Sequence, residues 1–205
     1  MWGIGQLARK DARQAAALVP LLKDGDAEIR AQAAKLLGDV RYAAAAPTLV
    51  PMLQDASPRV RFFAAEALGR DAYSQAFQPI VAMLAANNEQ DVYLRHAGAL
   101  ALSRIGPATA IADLATNPNR AVRIAAVVAL RRLKDASVGR FLADQDEYIA
   151  TEAARAINDD GGIEGALPQL AAALDSKFSN EPFVRRAINA NLRVGSAEAA
   201  RRVAA

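Results

Sequence analysis

The chain has 205 residues, is 53% hydrophobic and 23% charged, and carries a formal charge of +3. It lacks cysteine and holds one histidine, His96, which excludes disulfides, thiolate chemistry and any metal site needing paired imidazole or sulfur ligands. No run of about 18 apolar residues occurs, which argues against a membrane-spanning helix. The apolar content is largely alanine, the strongest helix former, and aromatic residues make up only 5%, so the expected core is one of small side chains between closely spaced helices.

Residues 1–10 read as the second half of a helix, with Trp2, Ile4 and Leu7 where the polar cap of a repeat array would stand. The chain is therefore expected to be a segment of a longer protein, or this short helix to be the cap itself. From Asp11 a two-helix unit begins and then recurs. Its most complete form is Asp55-Ala-Ser-Pro-Arg-Val-Arg-Phe-Phe-Ala-Ala-Glu-Ala-Leu-Gly69, a turn followed by a helix with Val60, Phe63, Ala64, Ala67 and Leu68 at helical spacing. Asp55 and Ser57 offer oxygens for the first free amides, Pro58 suits the first turn, and Gly69 suits a left-handed exit.

An aliphatic-arginine pair marks each recurrence, at Ile29-Arg30, Val60-Arg61, Leu94-Arg95, Val122-Arg123 and Val184-Arg185, with Ile149-Ala150 as the exception. The steps of about 27 to 35 residues suit a two-helix repeat. Repeats are expected at 11–38, 43–70, 74–106, 107–134, 136–159 and 163–195, with a terminal helix over 196–205. Pro47, Pro79 and Pro168 fall near the starts of outer helices, and Asn158 to Gly162 reads as a flexible turn. The fold expected is all-α: one right-handed α-α superhelix of about six repeats.

The motif resembles that of the HEAT-repeat family, in particular the short bacterial phycobilisome-lyase HEAT-like repeat, and the resemblance runs over nearly the whole chain. It implies a HEAT/armadillo-like solenoid in which each motif arginine pairs with the turn acid of a neighbouring repeat. The opening Trp2 to Ala8, together with 156–162 and 186–192, is also similar to HEAT segments of large bacterial proteins that join a sugar-dehydrogenase-like propeller to a c-type haem domain. That likeness implies an exported parent, transfers no redox activity, and leaves the compartment otherwise unknown.

No residue set points to catalysis or to a cofactor. Gly3-Ile-Gly5 has no strand before it, His96 stands alone, and Asp159-Asp160 in a glycine-rich turn reads as solvated rather than as a cation site. The paired His-Glu motifs of the iron-hydroxylase branch are missing. The helical wheel instead places Phe62, His96, Leu100, Ile124 and Val128 opposite the buried row, with Arg155 and Arg186 extending it as a cationic end; these residues either pack laterally against adjacent inner helices or form a concave docking strip. The function expected is a non-catalytic protein-interaction scaffold or interdomain spacer that docks a protein, or another domain of its own chain, on this concave strip. The alternative is a nucleic-acid-binding or base-repair solenoid, which the small net charge disfavours.

Overall fold

A computed structural model describes residues 1–159 and 162–204. Asp160, Gly161 and Ala205 lie outside the described residues, so the expected Asp159-Asp160 pair, the middle of the 158–162 turn and the last residue of the terminal helix have no structural account. The chain divides into two compact units, Met1–Gly106 and Pro107–Ala205.

In the first unit, α1 (Trp2–Lys10) leads into a 3₁₀ segment, Ala12–Lys23, and then α2 (Ala27–Asp39). Short pieces follow: 3₁₀ Ala43–Ala45, α3 (Ala46–Leu49) and 3₁₀ Pro51–Gln54. Next come α4 (Pro58–Arg70), α5 (Phe77–Asn87) and α6 (Val92–Ile105). Helix α4 lies between α2 and α6, and the outer segments cover these inner helices from the other side. Pro20, Pro47 and Pro51 bear on why the outer layer is fragmented, because proline has no amide hydrogen to give to an α-helical ladder. Val60, Ala64 and Leu68 are fully buried at the α4 seam, whereas Phe63 is only half-buried.

The second unit repeats the plan with α7 (Ala108–Ala112), α8 (Arg120–Leu133), 3₁₀ Ala136–Ala143, α9 (Glu147–Asn158), α10 (Leu167–Ala172), α11 (Glu181–Val194) and α12 (Ala197–Ala204). Here α9 packs between α8 and α11, and α10 covers α11. Among the described residues there is no strand. Apart from α4, these inner helices start on a side-chain oxygen: Asp26 accepts from the Glu28 amide, Asp91 from Tyr93 and Leu94, Asn119 from Val122, Asp146 from Tyr148 and Ile149, and Asn180 from Phe183. At α4 the expected cap differs. Ser57 makes no side-chain cap; Asp55 accepts from the Ser57 amide at 2.9 Å and fixes the turn before the helix, as Asp24, Asn117 and Asp144 do before their helices.

Gly69 does not serve as a left-handed exit. It sits within α4, and a Cβ there would stand 2.9 Å from Ala101 Cα on α6, so the residue permits close approach of two backbones. Gly38 does the same for α2 against Ala67, at 2.7 Å. The left-handed residue after α4 is Ala72, at φ 51°, matched after α2 by Arg41 at the same φ.

The motif arginines fasten turns. Arg30 Nη1 donates to the carbonyls of Asp24 and Gly25 at 2.8 and 3.1 Å, while its Nε and Nη2 grip both oxygens of Asp55 in the following turn at 2.8 and 2.9 Å. Arg123 repeats this with the Asn117 and Pro118 carbonyls and the Asp144 carboxylate, whose nearest oxygen is 2.7 Å from Nε. Arg95 differs and holds Glu89 of its own turn at 2.6 Å. Arg185 departs from the expected pattern altogether. It is exposed and bonds Glu181 one turn back on its own helix.

Two outcomes are expected of stability measurements. Gly69→Ala should cost about 1–3 kcal/mol through overpacking against Ala101, while Gly3→Ala, with open space around it, should leave the melting temperature unchanged or raised. Equal melting of the two variants would refute the close-approach role. Arg123→Ala should cost about 3 kcal/mol by stranding a nearly buried Asp144 carboxylate. Adding Asp144→Asn should recover part of that loss in a double-mutant cycle read by urea unfolding.

Candidate functional site

The N-terminal halves of α4 and α6 bring together Pro58, Arg59, Phe62, Phe63, Asp91 and Tyr93 around a recess of about 400 Å³. Phe62 and Phe63 meet edge to face, with centroids 5.1 Å apart and planes at 86°. The Arg59 guanidinium stands 5.2 Å from the Phe63 ring centre while its Nε pairs with Glu28 of α2 at 2.9 Å. A guanidinium over a ring face is attracted by the ring's quadrupole, so Arg59 and the ring hold each other in place. Tyr93 is 72% exposed and forms the open wall.

The expected strip is distributed unevenly. Phe62 is half-buried and lines the recess, and His96 is exposed on α6. Leu100 is only 8% exposed and Ile124 3%, so both belong to the packing between helices and not to an open face. They sit on α6 and α8, each flanked by inner and outer neighbours, and that lateral burial is what a single-helix wheel omits. Val128 is 36% exposed, and Arg155 is exposed beside Glu152 at 3.6 Å. Arg186 is committed internally. Its Nε and Nη2 hold Asp159 at 3.0 and 2.7 Å, and its Nη1 donates to the Pro182 carbonyl at 2.8 Å. The strip also divides between units, with Phe62, His96 and Leu100 in the first and the other four residues in the second.

The sequence pattern placed Phe63 among the buried apolar positions and gave Arg59 and Tyr93 no part in the strip. The usable signal was the cap position. Each inner-helix N-cap stands three residues before the core residue, so Ser57 and Asp91 put Tyr93 in the first turn of α6 and Phe62 at the start of the second turn of α4. The same spacing corrects the last repeat. Asn180 is the N-cap and Phe183 is fully buried, so the motif position is Phe183 and the pair Val184-Arg185 lies one residue late.

The charges follow the tethers. Hydrogen bonding to Arg30 holds the Asp55 carboxyl below the usual carboxylate range, and Arg186 does the same for Asp159. Asp71, at the end of α4, goes the other way. Both its carboxylate oxygens are buried without a hydrogen-bond partner, and burial raises its pKa to about 6 against a weaker opposing pull from Arg41. Among the described residues no group of three His, Asp or Glu side chains is placed to hold a metal ion, and no helix is long and apolar enough to cross a membrane.

Recurrent inner helices, cap-to-core spacing and arginine tethers coincide with a family match. The model of HEAT repeats matches residues 15–102. This stretch is a HEAT-repeat array. An archaeal HEAT-like repeats protein from Thermococcus onnurineus is 16% identical over 98% of this chain and 93% of that one, with a TM-score of 0.55. An engineered protein is 22% identical with a TM-score of 0.50, over 95% of this chain and 61% of its own length. The CpcE–CpcF complex of phycocyanin lyase from Nostoc has a chain 22% identical over 92% of this chain and 91% of its own, with a TM-score of 0.49. No curated protein matches the sequence. The fold is that of HEAT/armadillo-like solenoids, and at these identities the likeness concerns the fold alone.

The buried Asp71 gives a pH test. Its folded pKa of about 6 exceeds the ordinary 3.8, so the folded state binds the extra proton between those values and stability falls as pH rises through them. Asp71→Asn, which imitates the protonated acid, should melt above the parent at pH 7.5, with the gap closing as pH falls below about 4. A gap independent of pH would show that the carboxylate is solvated in the folded protein.

Proposed function

We propose that this chain is a non-catalytic scaffold that docks a protein segment, or another domain of its own polypeptide, in the aromatic recess of the first HEAT unit. The observation that carries this reading is the recess itself: three aromatic side chains and an arginine on adjacent inner helices, with Tyr93 72% exposed. Tyrosine and arginine are the residue types that concentrate binding energy at interface centres, and two half-locked rings lose little freedom when a partner arrives. Phe62 is the anchor, Tyr93 closes over the bound segment, and Arg59 with Asp91 supplies the polar rim. His96 lies a turn further along α6 as a peripheral contact. Val128 and Arg155 offer a further exposed apolar-cationic patch on the second unit.

The repeat fold supports the non-catalytic reading. The electrostatics favour a protein over nucleic acid: Arg30, Arg70, Arg123 and Arg186 are each spent on an internal carboxylate, leaving phosphates fewer free cations to neutralise.

The test starts from a displayed peptide library selected on the whole chain. Phe62→Ala and Tyr93→Ala should each weaken a selected peptide by at least about 1 kcal/mol, roughly fivefold in Kd, with the melting temperature nearly preserved for Tyr93→Ala. Unchanged affinity in both variants, with a large fall in melting temperature for Phe62→Ala, would assign the recess to packing between repeats.

A further inference from the structure

The repeat pattern leaves one guanidinium incompletely used. Arg61 occupies on α4 the position of Arg30 on α2 and Arg123 on α8, four residues after the N-cap. Its Nη1 makes the same pair of bonds as theirs, to the carbonyls of Asp55 and Ala56 at 2.7 and 3.2 Å. In both sister sites the Nε–Nη2 edge then grips an aspartate two residues before the next N-cap. The acid at that position after Arg61 is Glu89, and it turns to Arg95 instead. Asn87 is occupied as well, since its amide and carbonyl bond the main chain of Asp91. Asp55 is held by Arg30. Among the described residues no carboxylate forms an ion pair with Arg61; Asp55, paired with Arg30, feels the Arg61 charge without bonding its guanidinium.

The open edge borders a cleft of about 490 Å³, lined by Arg61 with Leu53, Ala82, Met83, Asn87 and Gln90 and lying wholly within the first unit. Leu53 and Met83 are buried and make an apolar floor, while Gln90 is exposed at the rim with an amide able to donate and accept. A planar guanidinium edge with one nitrogen already fixed by two carbonyls is oriented for bidentate carboxylate binding before any ligand arrives.

We infer that this cleft binds a carboxylate side chain, aspartate or glutamate, of a partner polypeptide, which takes the place that Asp55 and Asp144 fill in the sister repeats. A side chain is favoured over a chain terminus because in both internal examples the carboxylate is carried by an uninterrupted extended turn. The site is distinct from the aromatic recess and does not require it.

The test is a titration of the whole chain with acetyl-Gly-Asp-Gly-amide and, separately, acetyl-Gly-Gly-Gly bearing a free carboxylate, followed by the arginine Nε–Hε signals in ¹H–¹⁵N spectra. The aspartate peptide should shift the Arg61 signal saturably while Arg30 and Arg123, already paired, stay still. Arg61→Gln should abolish the response. Because that variant also loses the two turn carbonyls, Ala82→Glu provides a second arm: Ala82 is exposed on the cleft wall, and its replacement supplies an internal carboxylate. Ala82→Glu should weaken the peptide at least tenfold without lowering the melting temperature. Equal shifts at all three arginines, no shift at Arg61, or tighter binding of the free-terminus peptide than of the aspartate peptide would each overturn the assignment.

Discussion

Two turns in this protein, those of Arg30 and Arg123, are held by a guanidinium that has two edges and uses them on different repeats. Arg30 and Arg123 bind two carbonyls of their own turn through one nitrogen and a carboxylate of the next turn through the other two. The carboxylate does double service, for Asp55 and Asp144 also accept the amide two residues on and so set the turn from which the next inner helix starts. Neither charge could be buried alone at tolerable cost, but together they satisfy each other and the loop backbone. Where it is made, this link joins one repeat to the next.

Once the turns are spaced, the inner helices must be thin enough to meet. Ala64, Ala65, Ala67 and Leu68 on α4 are essentially buried, and Gly38 and Gly69 remove the side chains that would hold α2, α4 and α6 apart. An alanine-rich chain with few aromatics achieves its core by contact density between backbones, so the few aromatics are released for other places. Three of them, Phe62, Phe63 and Tyr93, stand at one recess at the helix starts. The two half-buried rings pack against each other, with Arg59 over that of Phe63, while Tyr93 is exposed.

Departures from the repeat are where the molecule has room for function. The third turn carries its acid at Glu89, a residue at φ 64°, and a left-handed backbone there directs the side chain to Arg95. One consequence is the open edge of Arg61. In the last repeat the core position passes to Phe183 and the arginines after it serve other partners: Arg185 pairs along its own helix, and Arg186 reaches Asp159. A repeat architecture tolerates such changes because each unit is stabilised chiefly by its neighbours, so a local exchange of partners does not propagate.

The sequence by itself determined the repeat and its helical class. Periodic apolar positions specify which face a helix buries, whereas the arginine tethers were implied only by the family resemblance, and the structure makes them between repeats at Arg30–Asp55 and Arg123–Asp144 and not at Arg95 or Arg185. Of the two cap oxygens read from the sequence, Asp55 fixes the turn and Ser57 makes no cap, while Asp26, Asp91, Asn119 and Asp146 cap their own helices. Only the tertiary structure decided which exposed-looking residues stay exposed. Leu100 and Ile124 occupy the same wheel position class as Val128, yet lateral neighbours bury the first two and leave the third 36% open. It also decided that Gly69 serves approach to Ala101 and not a helix exit, and that Arg186 is a tether rather than a free cation. A helical wheel describes one helix against an average environment, whereas burial and pairing are set by the distances to the helices on either side, which no local pattern encodes.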